Sequence, residues 1–338
     1  MNFNRLSLAT LVAVYVLIAV GGIVRSTGSG MGCPDWPTCF GKWVPPTTAE
    51  ELPDNYKEQY ASYRDKKNRR FAHYLSALGF KETAEKILRD ESILEEADFN
   101  ATKTWIEYIN RLVGVIIGFL IFAVFVFSIK YWKTDRAVTW IALLTFVLVG
   151  FQGWIGSIVV STNLTPWTVT VHMFLAMAVV FLLVYLVARS TTSDNSTSRS
   201  PVTTGLLVAC MMVLLVQILL GTQVREAIDR VAALARNTWI EKAGLDFIIH
   251  RSFSWVVLLL HVALSVQTFR TWKAKLLPVA LISLVAATVL TGAGMAWLDV
   301  PPVLQPLHLL LATVTFGIQS FMILRTTANV NLALTKES

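Results

Sequence analysis

The sequence predicts an all-α polytopic membrane protein: eight transmembrane helices in two tandem four-helix bundles, with a helical loop over one face. Three observations carry that prediction. The 338 residues are 54% hydrophobic and only 15% charged, too apolar for an ordinary soluble domain. Mostly apolar runs long enough to cross a hydrocarbon core of about 30 Å recur along the chain. Features of the first half also return in the second.

The apolar runs fall at 7–25, 105–129, 138–160, 168–188, 203–223, 246–268, 276–297 and 304–324. Between the first two lies a long outer loop, 26–104. Its stretch YKEQYASYRDKKNRRFAHYLSALGFKETAEKILRDESILEEADF mixes charge with apolar residues at helical spacing, which predicts two or three surface helices forming a cap. The polar connection TTSDNSTSRS, 191–200, reads as a flexible linker. The chain thus divides into a first half, 1–190, that includes the cap; a linker, 191–202; and a second half, 203–338.

The formal charge of +7 is explained by where the basic residues stand. With the N-terminus inside, the short inner connections hold Lys130, Lys133, Arg136, Arg189, Arg199, Arg270, Lys273 and Lys275, and Arg5 and Arg325 flank the ends. The short outer connections 161–167 and 298–303 have no Lys or Arg. This asymmetry predicts both termini in the cytoplasm and gives the charge a membrane rather than a nucleic-acid partner. No cleavable signal or transit peptide is evident before the first span, which points to a bacterial inner membrane. Cys33 and Cys39 then fall on the outer side, where disulfides persist; a bridge or two free thiols fit the spacing. Cys210 lies within an apolar span.

The repeat rests on three sets of anchors. At an offset of 140, Asn110 aligns with His250, Arg111 with Arg251 and Lys130 with Arg270. At an offset of 136, Pro166 aligns with Pro302, His172 with His308 and Arg189 with Arg325. The first and fifth spans both end in Val-Arg, at Val24-Arg25 and Val224-Arg225. Halves of four spans each are related by an axis along the membrane normal.

Ionisable groups inside spans are costly and mark function by default. His250 stands about 30 Å of helix from Arg270, and His308 about 25 Å from Arg325, so both lie about one turn below the outer surface. Two helices of one bundle presenting imidazoles at equal depth suit bis-imidazole ligation of a heme. A lone histidine would more simply bond a neighbouring carbonyl. Zinc would need more clustered ligands than this pair offers.

The stretch GGIVRSTGSGMGCPDWPTCF, residues 21–40, followed by Glu-Tyr-x-x-Arg opening the second span, resembles the heme A synthase family. The resemblance covers nearly the whole chain. It implies oxidation of the C8 methyl of heme O to a formyl group, giving heme A for terminal oxidases. It also implies a heme b cofactor in the second half, held by His250 and His308, and the substrate porphyrin in the first, at His172. The enzyme that supplies heme O and the assembling cytochrome oxidase are the partners implied, within the lipid bilayer. Arg111 and Arg251 beside the ligand positions, and Arg25 and Arg225 at helix ends, are candidates for heme propionates; snorkelling to the surface is the simpler role. Gly28, Gly30 and Gly32 would let backbone turn sharply or lie close to a flat ligand.

One position departs from the family: Asn110 stands where a histidine is usual, and an amide is a poor iron ligand. Three readings are open. His172 alone binds the substrate iron with Asn110 facing an open position; another histidine substitutes; or the first half is inactive. His73 on the charged cap suits solvent, and His261, about 16 Å deeper than His250, suits the core. Glu107 shares a helical face with Asn110, whereas its repeat counterpart is Phe247. A carboxylate there suits a site where charge develops, making Glu107 the catalytic candidate; pairing with Arg111 at i+4 is the alternative. Two other functions stand as alternatives. A di-heme b-type electron carrier or quinol oxidoreductase shares the histidine pairs but gives no reason for Glu107 against Phe247. A transporter has its sites near the midplane rather than at one outer level.

Overall fold

The computed structural model describes residues 2–191, 200–231, 239–272 and 275–327. Most of the expected linker 191–202, with Arg199, lies outside them, as does Lys273. Among the described residues there is no strand, and the helices are α1 (Phe3–Ser26), α2 (Tyr56–Ala77), α3 (Lys81–Arg89), α4 (Ala101–Ser128), α5 (Arg136–Ser161), α6 (Pro166–Ser190), α7 (Pro201–Val231), α8 (Trp239–Thr271), α9 (Leu276–Trp297) and α10 (Leu304–Thr327). Eight of these are long and apolar enough to span a bilayer, all but α2 and α3. A segment in hydrocarbon must satisfy its own backbone, so apolar runs of this length become helices.

Local chemistry sets the helix ends. Asn100 accepts the Lys103 N–H at the start of α4, and Asp135 accepts that of Ala137 at the start of α5. Pro166 opens α6, where its missing N–H costs nothing. Asp135 also pairs with Arg189 at 2.6 Å, joining the ends of α5 and α6. The turns after α5 and α9 are alike: Asn163-Leu164 and Asp299-Val300, 136 positions apart, all have φ between 50° and 57°. Leu164 and Val300 donate to the carbonyls of Val159 and Met295, again 136 apart. Left-handed backbone is unfavourable for Leu and especially for Val. It recurs at matching places because each sharp turn must aim the next helix back along its neighbour.

In the first half, α1 touches α4 and α6, and α5 touches α4 and α6; in the second, α7 touches α8 and α10, and α9 touches the same two. Helix α10 also contacts α1 and α6. The main core lies where these meet, with Ile121, Val138, Val180, Leu183 and Leu186 almost fully buried. On the other side of the second half, Leu207, Cys210, Leu264 and Trp272 form a second cluster.

The cap is the helical layer that the charge-rich sequence predicts. Helices α2 and α3 pack their own small core of Phe71, Leu75, Ala84 and Ile87 against Ile158 of α5 and Trp167 of α6. Phe71 stacks on the Trp167 ring with centroids 6.1 Å apart. The buried Arg64 guanidinium donates to the Ile93 and Glu95 carbonyls at 2.8 and 3.1 Å and pairs with Glu96. Burial pushes the Glu96 carboxyl up and the Arg64 guanidinium down, and their mutual attraction opposes both effects.

Candidate functional site

The second half brings His250 of α8 and His308 of α10 together, their ring centroids 6.5 Å apart and their planes at 66°. Two imidazoles on opposite sides of one metal, with metal–nitrogen bonds of about 2 Å, put their centroids about 6 Å apart. The pair therefore fits a single iron between the rings. Among the described residues no cluster of three His, Cys, Asp or Glu side chains exists that could hold a metal.

Each ring is seated by the preceding helix. A β-carbon added at Gly221 of α7 would meet His250 Cε1 at 3.2 Å, and one at Gly292 of α9 would meet His308 Cε1 at 3.1 Å. Only glycine leaves room for a ring in contact with the neighbouring backbone. One turn earlier on each helix stands a second device. Gln217 donates to the His250 carbonyl at 3.1 Å, and the Thr288 carbonyl accepts the Nδ1–H of His308 at 2.9 Å. The Thr288 bond fixes the orientation of the His308 ring and leaves its Nε2 free, whereas Gln217 holds the backbone of His250.

The first half repeats the arrangement. A β-carbon at Gly156 of α5 would meet His172 Cε1 at 3.3 Å, and Gln152 donates to the His172 carbonyl at 2.7 Å. Asn110 takes the remaining seat: a β-carbon at Gly21 of α1 would lie 3.9 Å from its Oδ1. That oxygen is buried without a hydrogen-bond partner, as are Nδ1 of His172 and Nδ1 of His250. Leu17 stands one turn before Gly21, where the other helices offer Gln152, Gln217 and Thr288. The repeated pair Gln152–Gly156 and Gln217–Gly221 was visible in the third and fifth spans as an isolated polar residue one turn before a glycine.

Glu107 is buried and faces the loop that follows α1. Its Oε2 accepts the Cys33 N–H at 2.9 Å, and its Oε1 pairs with Arg111 at 2.6 Å. Arg111 spends its remaining terminal hydrogens on the carbonyls of Asp35, Thr38 and Cys33, at 2.7, 2.9 and 3.0 Å. Both terminal nitrogens are thereby filled, so Arg111 anchors the loop where a propionate contact was expected. Cys33 and Cys39 are joined by a disulfide and are both fully buried. Gly32 lies so near α4 that a β-carbon would stand 2.6 Å from the Lys103 carbonyl oxygen. Of the three glycines, Gly32 thus approaches protein backbone, Gly30 packs on the Leu164 side chain, and Gly28 turns the chain with a φ of 65°.

The helix-end arginines have a shared carboxylate. Asp229 of α7 pairs with Arg25 at 2.8 Å and with Arg225 at 2.7 Å, and Arg225 also donates to Gln305 of α10. Arg251 is exposed, with its guanidinium 5.7 Å from the Phe247 ring centroid. His261 is a core residue, as expected: Nδ1 donates to the Val257 carbonyl at 2.7 Å and Nε2 meets Gln319 at 2.9 Å. His73 is exposed.

Comparison with known proteins agrees with this architecture. The profile of the COX15-CtaA family, described as cytochrome oxidase assembly protein, matches residues 4–320. A heme A synthase of Shewanella oneidensis is 26% identical over 227 residues, 65% of this chain and 56% of that protein. One from Methylorubrum extorquens is 28% identical over 322 residues, 85% of this chain and 76% of that protein. One from Rhizorhabdus wittichii is 30% identical over 225 residues, 62% of this chain and 56% of that protein. The alignments with the Shewanella and Rhizorhabdus proteins thus span just over half of their length. The match to the family profile runs from the first helix into the last, and the chain belongs to the COX15-CtaA family of cytochrome oxidase assembly proteins.

Proposed function

We propose that this protein is a heme A synthase that oxidises the C8 methyl of heme O to a formyl group. The observation that carries this reading is the recurrence of one seat, an imidazole resting on a glycine of the preceding helix. It occurs twice in the second half and once, opposite Asn110, in the first. A protein that only carries electrons between two like hemes has no use for that asymmetry.

In this reading residues 203–338 form the cofactor half and residues 1–190 the substrate half. The cofactor is heme b, and when bound it supplies one-electron transfer. His250 and His308 would hold its iron, with Gly221 and Gly292 seating the rings, Thr288 orienting that of His308 and Gln217 holding the backbone of His250. Arg251, exposed beside His250, pairs with a propionate. His172 holds the substrate porphyrin from one side only. Asn110, an amide with a buried and unpartnered carbonyl oxygen, would supply no second imidazole there. Glu107 is the catalytic carboxylate in this reading, and with Arg111 it fastens the disulfide loop that follows α1. Arg25 and Arg225 share Asp229 at the cap-side helix ends, where a propionate would compete for them.

The location proposed is a bacterial inner membrane with both termini cytoplasmic and the cap outside. The reaction that attaches the long apolar tail of heme O must precede this one, and assembly of a cytochrome oxidase follows it. Expression with a source of heme O and extraction of the pigments tests the proposal. Heme A is the expected product, lost on His172→Ala. Heme b alone would mean a b-type electron carrier, and a colourless protein would exclude both.

A further inference from the structure

Among the described residues Lys67 is a cation without a counter-ion, and it stands against the helix that seats His172. It lies on α2, half-buried, and its Nζ donates to the Ser157 carbonyl at 3.1 Å. Ser157 follows Gly156, the residue on which the His172 ring rests. Asn68, the next residue on α2, donates to the Ser161 carbonyl at 2.7 Å and fixes the register of α2 on the last turn of α5. The ammonium is therefore held at the cap-side rim of the helix that seats His172.

The other cations removed from water in this half and at its edges are compensated. Arg64 pairs with Glu96, Arg111 with Glu107, Arg189 with Asp135 and Arg225 with Asp229. Lys67 has no such partner among the described residues. Asp35 attracts it at longer range, but the Asp35 oxygens are taken by the Phe40 and Gly41 N–H groups and the Thr38 hydroxyl. Burial, reinforced by the charge of Arg111, pushes Lys67 down to about 8. Pinning α2 to α5 does not require a cation, because Asn68 makes the same kind of bond with a neutral amide. An unpaired ammonium held at this rim by the Ser157 carbonyl is a ready partner for an anionic ligand.

We propose that Lys67 binds a carboxylate of the porphyrin in the first-half site, as a substrate-positioning group delivered by the cap. The inference rests on the substrate site proposed above. A porphyrin held through His172 with its propionates toward the cap presents a carboxylate at this rim, and two of the three ammonium hydrogens remain for it. The cap then contributes directly to substrate selection: it favours a porphyrin with free carboxylates over an esterified one.

The test is a titration of the purified protein with heme O and, separately, with its dimethyl ester, following the absorbance change that His172→Ala removes. Lys67→Met and Lys67→Gln should each weaken binding of the free acid about tenfold, a loss of about 1.4 kcal/mol, and leave the ester unchanged. Glutamine keeps a donor for the Ser157 carbonyl, so it separates the charge from the docking of α2. Lys67→Arg should restore binding to within about twofold. Equal effects on acid and ester, or none on either, would overturn the inference and leave the site intact. If His172→Ala leaves the titration unchanged, the site itself fails and the inference with it.

Discussion

The Nδ1–H of His308 donates to the carbonyl of Thr288 at 2.9 Å, and the Thr291 hydroxyl stands 3.1 Å from the same nitrogen. A carbonyl only accepts, so Nδ1 carries the proton and Nε2 keeps its lone pair. The ring is therefore oriented by α9 itself. His250 lacks this anchor on Nδ1 and is held instead through its backbone carbonyl by Gln217. Alanine at either position should abolish the visible absorption bands of the second-half heme in purified protein. His261→Ala should retain them, because both nitrogens of that ring are used within the core.

The glycine seats are tight enough to test by adding one methyl group. Gly221→Ala and Gly292→Ala each bring a carbon within about 3 Å of a ligand ring, and overpacking of this kind costs about 1–3 kcal/mol. Heme content per mole of protein should fall in both variants. Gly118→Ala and Gly205→Ala are the controls, since a β-carbon at either meets nothing within 4 Å. Equal loss in all four variants would show that general stability is being measured rather than ligand geometry.

Glu107→Gln should abolish formation of heme A and leave the heme b content near that of the unaltered protein. The substitution removes the charge facing Arg111, and breaking a buried pair by changing one member costs about 3–5 kcal/mol. Here that cost falls on the disulfide loop, whose Cys33 N–H and carbonyl are both held by this pair. Pigment extraction reads product and cofactor in one sample. Unchanged product would remove Glu107 from the site.

Asn110→His would give the first half an imidazole pair like that of His250 and His308. Its substrate porphyrin should change from a spectrum of one axial imidazole to one of two, with exogenous imidazole no longer shifting it. If the unaltered protein is already insensitive to imidazole, the side facing Asn110 is not open.

Lys67 gives the stability of the ligand-free protein a pH dependence of definite sign. Folding lowers its pKa from 10.5 to about 8, so between these values the unfolded chain binds more protons than the folded one. Stability therefore rises with pH across that window, and the penalty for the charged form is fully present below it. Thermal unfolding of Lys67→Met against the unaltered protein, from pH 7 to about pH 10, should show this rise only where the lysine is present. Parallel curves would mean that the ammonium is not penalised by folding.

Much of the architecture was legible because the bilayer reduces the choices. Each of the eight predicted spans coincides with a helix, with ends that differ by a few residues where polar turns continue past the apolar run. The helical cap, the paired Cys33 and Cys39 and the core role of His261 were legible for similar local reasons. Partners distant in sequence were not. Asp229 serves Arg25 from 204 positions away, and Arg111 reaches the Cys33 loop across more than 70. In the sequence Lys67 is one of several lysines and arginines on a charged helix, and its role depends on the Ser157 carbonyl 90 positions later.

From its sequence alone this protein derives its spans, its cap and the depth of its histidines, since hydrophobic length and helical rise are properties of a single segment. Which glycine seats which ring, which carboxylate answers which arginine, and which cation goes unanswered were decided only by tertiary structure. Those relationships depend on the rotation and tilt of one helix against another, and no single segment carries that information.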